Sequence, residues 1–104
     1  MRRQVDEILR DIQAFSPVDG TWLPMDGLLA ELWDAGVPVR ALPVLFGVFE
    51  RFPETDGAGV LWGIVHGVEG LDYDYEQPLR ESLARRWSEL GEIMLGRLER
   101  SKAP

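Results

Sequence analysis

Apolar residues recur at helical spacing along almost the whole of this chain, and that periodicity constrains the fold more than any other feature. Val5, Ile8, Leu9, Ile12 and Phe15 follow the i, i+3, i+4, i+7 pattern of a stripe buried on one helix face, with Asp6, Glu7 and Asp11 off it. Ser16-Pro17 ends that segment, and Asp19-Gly20 reads as a turn. A second helix starts near Pro24, a first-turn position that suits proline. It presents Met25, Leu28, Leu29, Leu32 and Trp33 before Gly36 and Pro38 stop it. The segment 41–52 is apolar around more than half of its circumference, so it is expected to be a helix buried on more than one side. Pro43 lies in its first turn or kinks it. A strand over 44–49 is the alternative, but the run between two prolines is long for a strand.

Pro53 ends the third helix, and Glu54-Thr55-Asp56-Gly57 reads as a turn with Asp56 as the N-cap of a fourth helix reaching about Glu69. Its core stripe is Val60, Leu61, Ile64, Val65 and Val68. Gly59, Gly63 and Gly67 form a second row, and each glycine in a helix costs about 1 kcal/mol relative to Ala. The row therefore predicts a neighbouring backbone packed close to that face. A third row, Trp62, His66 and Glu69, points away from the core stripe. After a loop over 70–76, a fifth helix begins near Pro78 and is expected to bury Leu79, Leu83 and Trp87. Ser88 can cap a sixth, in which Leu90, Met94, Leu95 and Leu98 face inward, and residues 101–104 are expected to fray. The reading is one all-α domain over 1–104 with about six short antiparallel helices. They pack as a stack of helical hairpins (HEAT-like) or as a small bundle.

The residue inventory removes most catalytic chemistry. Cysteine is absent, so there is no disulfide, thiolate nucleophile or thiolate metal site, which matches a reducing, cytoplasmic setting. The N-terminal residues turn acidic at once, unlike a secretory signal, and no apolar run has the length of a membrane span. The single histidine, His66, lies three residues before Glu69, so the two could face one metal. Helical metal sites of that kind need further carboxylates and a partner motif, and the sequence holds no second such pair. The competing reading is a buried or half-buried, hydrogen-bonded His66 beside Trp62. The serines lack a nucleophile elbow, and Asp56-Gly57-Ala58-Gly59 is not followed by the lysine of a phosphate loop. The expectation is no catalytic residue, no metal and no cofactor.

Charge is more informative. The net charge is −7, and it is unevenly placed. Residues 19–76 carry eleven acids against two bases, Arg40 and Arg51, whereas residues 77–104 carry four acids against six bases. Nucleic acid is repelled by such a middle, and a basic protein is steered toward it. An acidic balance also serves solubility alone. Within the acidic region, Asp72, Tyr73, Asp74, Tyr75 and Glu76 alternate charge and ring. Exposed, they would offer Tyr contact area flanked by carboxylates for a partner's Lys or Arg; alternatively the rings tuck against the fourth and fifth helices.

Phe49-Glu50-Arg51-Phe52-Pro53-Glu54-Thr55-Asp56-Gly57-Ala58-Gly59-Val60, followed by Trp62, Ile64, His66-Gly67 and Glu69, resembles small helical bacterial immunity proteins of polymorphic toxin and contact-dependent inhibition systems. Ser82, Arg85 and Leu95-Gly96-Arg97-Leu98 extend the resemblance over about residues 42–100. It implies a binding protein that neutralises a toxin, frequently a basic nuclease, by covering its active site or an adjacent surface. The expected partner-binding residues are Glu50, Glu54, Asp56, Trp62, His66, Glu69, Asp72, Tyr73, Asp74, Tyr75 and Glu76. A structural or adaptor module is the second reading; it would bind another protein or form a homodimer through the Trp62/His66 row. A small metal-dependent enzyme using His66 and Glu69 is the third.

Overall fold

The computed structural model describes residues 3–102. Among them are six α-helices: α1 (Val5–Ala14), α2 (Leu23–Ala35), α3 (Leu42–Arg51), α4 (Trp62–Glu69), α5 (Glu76–Arg85) and α6 (Glu89–Lys102). A 3-10 turn, Val39–Ala41, leads into α3, and the described residues hold no strand beyond an isolated bridge between Val18 and Thr21. The most apolar segment is therefore a helix, and it forms the centre of the molecule. Leu42, Leu45, Phe46, Val48 and Phe49 of α3 are all buried. Burying five such side chains removes on the order of 10 kcal/mol of apolar surface free energy from water, before chain entropy is counted. Helices α1, α5 and α6 pack around α3, while α4 packs against α2 and α6. Since α3 pairs with α5 and not with the helix that follows it, the packing is a small all-α bundle, not a stack of successive hairpins.

Local signals account for most helix ends. Pro24 and Pro43 both lie in first turns, where the missing N–H has no intrahelical partner to lose, so neither kinks its helix. Gly36 closes α2 at φ +97°, a left-handed conformation that favours glycine. The buried Ser88 accepts the Gly91 N–H on its Oγ at 3.2 Å, capping α6.

Four local expectations are corrected. The fourth helix begins at Trp62, not beside Asp56, because Gly57, Ala58 and Gly59 have φ of 61°, 55° and 90°. Three successive left-handed residues cannot continue a right-handed helix. Asp56 is not the N-cap either: α4 has no side-chain cap, and in the loop before it Thr55 Oγ1 accepts the Gly57 N–H at 3.0 Å, while the Asp56 backbone carbonyl accepts from Gly59 and Leu61. Gly59 thus leaves the glycine row. The remaining Gly63 and Gly67 face side chains of α2, Leu29 and the Trp33 ring, instead of a neighbouring backbone. Trp87 is 49% exposed, because the extended Arg86 ends α5 and breaks the helical register; its Nε1–H donates to Glu92 Oε2 at 2.7 Å. Ser101 and Lys102 remain helical, held by a Ser101 hydroxyl bond to the Leu98 carbonyl and by Lys102 on Glu76. Residues 103 and 104, also expected to fray, lie outside the described residues.

Candidate functional site

Three of the acids singled out in the sequence tie helices together. Glu50 of α3 accepts the Arg85 Nε and Nη2 at 3.1 and 3.0 Å and the Ser82 Oγ at 2.8 Å, joining α3 to α5. Burial pushes the Glu50 carboxyl up, but hydrogen bonds from Arg85 and Ser82, with the Arg85 charge, outweigh it and leave the group below its ordinary range. Glu69 meets Arg97 at 2.9 Å, joining α4 to α6. Glu76 accepts Arg80 at 2.7 Å and also Lys102, and these two hydrogen bonds hold its carboxyl low. Each of these carboxylates already has its cation.

The loop before α5 is a packed strap. The Tyr73 hydroxyl donates to the Val37 carbonyl at 2.8 Å, and both tyrosine rings lie half-buried against the core. Burial raises both phenols, with Asp72 adding to the effect at Tyr73 and Glu69 at Tyr75. Asp74 is exposed but accepts the Glu76 N–H on Oδ1 at 2.9 Å, fixing the start of α5. Both rings are tucked against the core, with the Tyr73 hydroxyl on the connection between α2 and α3; among the described residues, Asp72 is the acid of this loop left exposed without a hydrogen bond or ion pair.

A different set of residues forms a concave site. Glu54, Thr55 and Asp56 from the loop after α3, Trp62 at the start of α4, and Glu89, Leu90 and Ile93 on α6 line a groove of about 330 Å³. Its walls are fixed by the backbone. The Glu89 N–H donates to the Pro53 carbonyl at 2.9 Å, binding the first turn of α6 to the loop. The Thr55 and Asp56 bonds described above fold the loop back on itself. Gly57 then presses on the indole of Trp22, so closely that a Cβ there would lie 2.8 Å from Trp22 Cδ2. Trp22 is itself wedged between Phe52, edge-on at 5.0 Å, and Phe15, tilted at 5.5 Å. An aromatic cluster under the loop therefore sets the position of its acidic rim.

Among the described residues, the rim carboxylates Glu54, Asp56 and Glu89 form no ion pair and no cation lines the groove. Trp62 is half-buried and stacks on His66 with ring centroids 5.8 Å apart and planes 29° apart. His66 is exposed, not buried or half-buried as one reading of the sequence had it. With Glu69 on Arg97 and His66 on Trp62, these two side chains are not brought to a common ligand position. No group of three or more His, Asp or Glu placed to hold a metal occurs among the described residues. Sequence reasoning reached Glu54, Asp56 and Trp62 but missed Thr55, Glu89, Leu90 and Ile93. Glu89 immediately follows the Ser88 cap in the first turn of α6, but nothing local says that this turn meets Pro53.

Comparison of the chain with protein-family models, curated proteins and solved structures finds no match.

Proposed function

We propose that this domain is a non-catalytic binding protein of the immunity type, which neutralises a basic toxin by direct contact. The observation that carries the reading is the groove of Glu54, Asp56 and Glu89 around Trp62, whose carboxylates, among the described residues, lack the internal cations found at Glu50, Glu69 and Glu76. A preformed, uncompensated negative surface raises the encounter rate with a basic protein and disfavours acidic competitors. A Trp beside such a surface supplies contact area of the kind enriched at binding hot spots. The acidic middle of the sequence and its resemblance to immunity proteins point the same way. No helix among the described residues is long and apolar enough to cross a membrane, and the reading places the protein in the cytoplasm. The test is co-expression with the product of the adjacent gene. The expected result is a stable complex and relief of that product's toxicity; the absence of both would reject the reading.

An adaptor or self-associating module is the second reading, favoured by the Trp62/His66 stack on the outer side of α4. Light scattering across concentration separates the two. A homodimer that protects Trp62 would favour the module, and a monomer that dimerises at no concentration would remove its self-associating form.

A further inference from the structure

We propose that the groove is a socket for one arginine side chain of the basic partner, an inference that rests on the binding reading above and specifies what the site recognises. A volume of about 330 Å³ lies at the small end of ligand sites, suited to a side chain more than to a long stretch of peptide. Its lining matches the two halves of a long cationic side chain. Ile93, half-buried, with the edge of the buried Leu90 offers apolar surface to the methylene stem, and Glu54, Asp56 and Glu89 offer oxygen acceptors to the head. Trp62 decides between the two cations. A planar guanidinium stacks on an indole face and can donate to two carboxylates at once, whereas an ammonium is a compact, strongly hydrated point charge.

The socket is also prepared in advance. The Glu89 N–H on the Pro53 carbonyl, the Gly57 N–H on Thr55 Oγ1 and the stack of Trp62 on His66 hold its walls before anything binds. Less ordering is then required when the partner arrives, so a small site can contribute measurably to affinity. The occupant is identified by complementarity: a negative rim with no cation of its own, an aromatic wall and a short apolar floor.

The test is a two-dimensional amide NMR titration with the peptide acetyl-Gly-Arg-Gly-amide. The protein has four Trp indole N–H groups as internal reporters. The expected result is saturable shifts of the Trp62 indole and of the backbone amides of 54–56 and 89–93, with the Trp33 indole, packed against Gly67, unmoved. The lysine peptide should bind more weakly, and the neutral citrulline peptide should leave the groove unshifted. Glu54→Gln and Glu89→Gln, both at exposed positions, should each weaken the arginine peptide by about threefold. Equal shifts for arginine and citrulline, or shifts spread evenly to exposed acids outside the groove such as Glu7 and Asp72, would overturn the socket. So would a double variant, Glu54→Gln with Glu89→Gln, that holds the adjacent gene's product with unchanged affinity, although the binding reading would then stand. The opposite pattern, groove shifts with the peptide but no complex with that product, would reject the binding reading and leave the socket.

Discussion

Substituting Gly57 with Ala separates the two physical demands placed on the loop that carries the acidic rim. Gly57 has φ +61°, and a Cβ there would fall 2.8 Å from Trp22 Cδ2 and 2.9 Å from Cε3. The left-handed conformation costs an L-residue about 1–2 kcal/mol, offset by about 0.4–1 kcal/mol from the reduced entropy of the unfolded chain. Forcing a methyl against a ring wedged between Phe15 and Phe52 adds about 1–3 kcal/mol, because Trp22 has no free space to move into. The net expectation is a loss of about 2–4 kcal/mol, or roughly 10–25 °C in Tm for a chain of this size. Gly20 is the control. Its φ is +76°, but no atom lies within 4 Å of a Cβ built there, so Gly20→Ala should lose only about 1 kcal/mol. Urea denaturation followed by circular dichroism gives both values. Equal losses for Gly57→Ala and Gly20→Ala would refute the claim that the Trp22 contact fixes the loop.

Three further outcomes follow from individual contacts. Glu50 has a depressed carboxyl in the folded chain, so its contribution is complete above its ordinary value of 4.5 and is lost as pH falls through and below that value. Glu50→Gln should therefore reduce stability at pH 7 by at most about 1 kcal/mol, given the exposed Arg85, and the difference from the parent should shrink as pH falls below 4.5 in paired urea titrations. Tyr73→Phe leaves the Val37 carbonyl without its donor and should cost about 1 kcal/mol, with faster amide exchange over 70–75. Trp87→Ala should cost only about 1 kcal/mol, since the ring is half exposed and its hydrogen bond goes to an exposed carboxylate; a loss of about 3–5 kcal/mol would instead restore the core position that helical spacing assigns to it.

That last contrast marks where the sequence was readable. The stripe of Ile8, Leu9 and Ile12, the first-turn prolines and the Ser88 cap are local rules, and each operates within one or two turns of chain. Trp87 obeys the spacing of α5 on paper, but Arg86 turns extended one residue earlier, and periodicity cannot register a break that small. At 57–59, glycine in a helix and glycine in a left-handed turn read alike, and Ala58 at φ 55° carries no mark of its conformation. The site was half legible for a related reason. Acidic and aromatic residues announce themselves by type, but whether a carboxylate already has a cation depends on contacts far along the chain. Glu50 meets Arg85, Glu69 meets Arg97 and Glu76 meets Lys102, so the acids that looked equivalent in sequence divide into paired and free. Glu89 joins the groove only because the first turn of α6 is hydrogen-bonded to Pro53.

The central claim is that the uncompensated carboxylates of the groove recruit a basic partner. Its most direct test is the affinity for the product of the adjacent gene, measured by titration calorimetry at low and high ionic strength, for the parent and for the Glu54→Gln, Asp56→Asn, Glu89→Gln triple variant. The account predicts a complex that weakens as salt rises, and a triple variant that binds more weakly and with a smaller salt dependence. A parent complex insensitive to salt, or a triple variant that binds as the parent does, would contradict it.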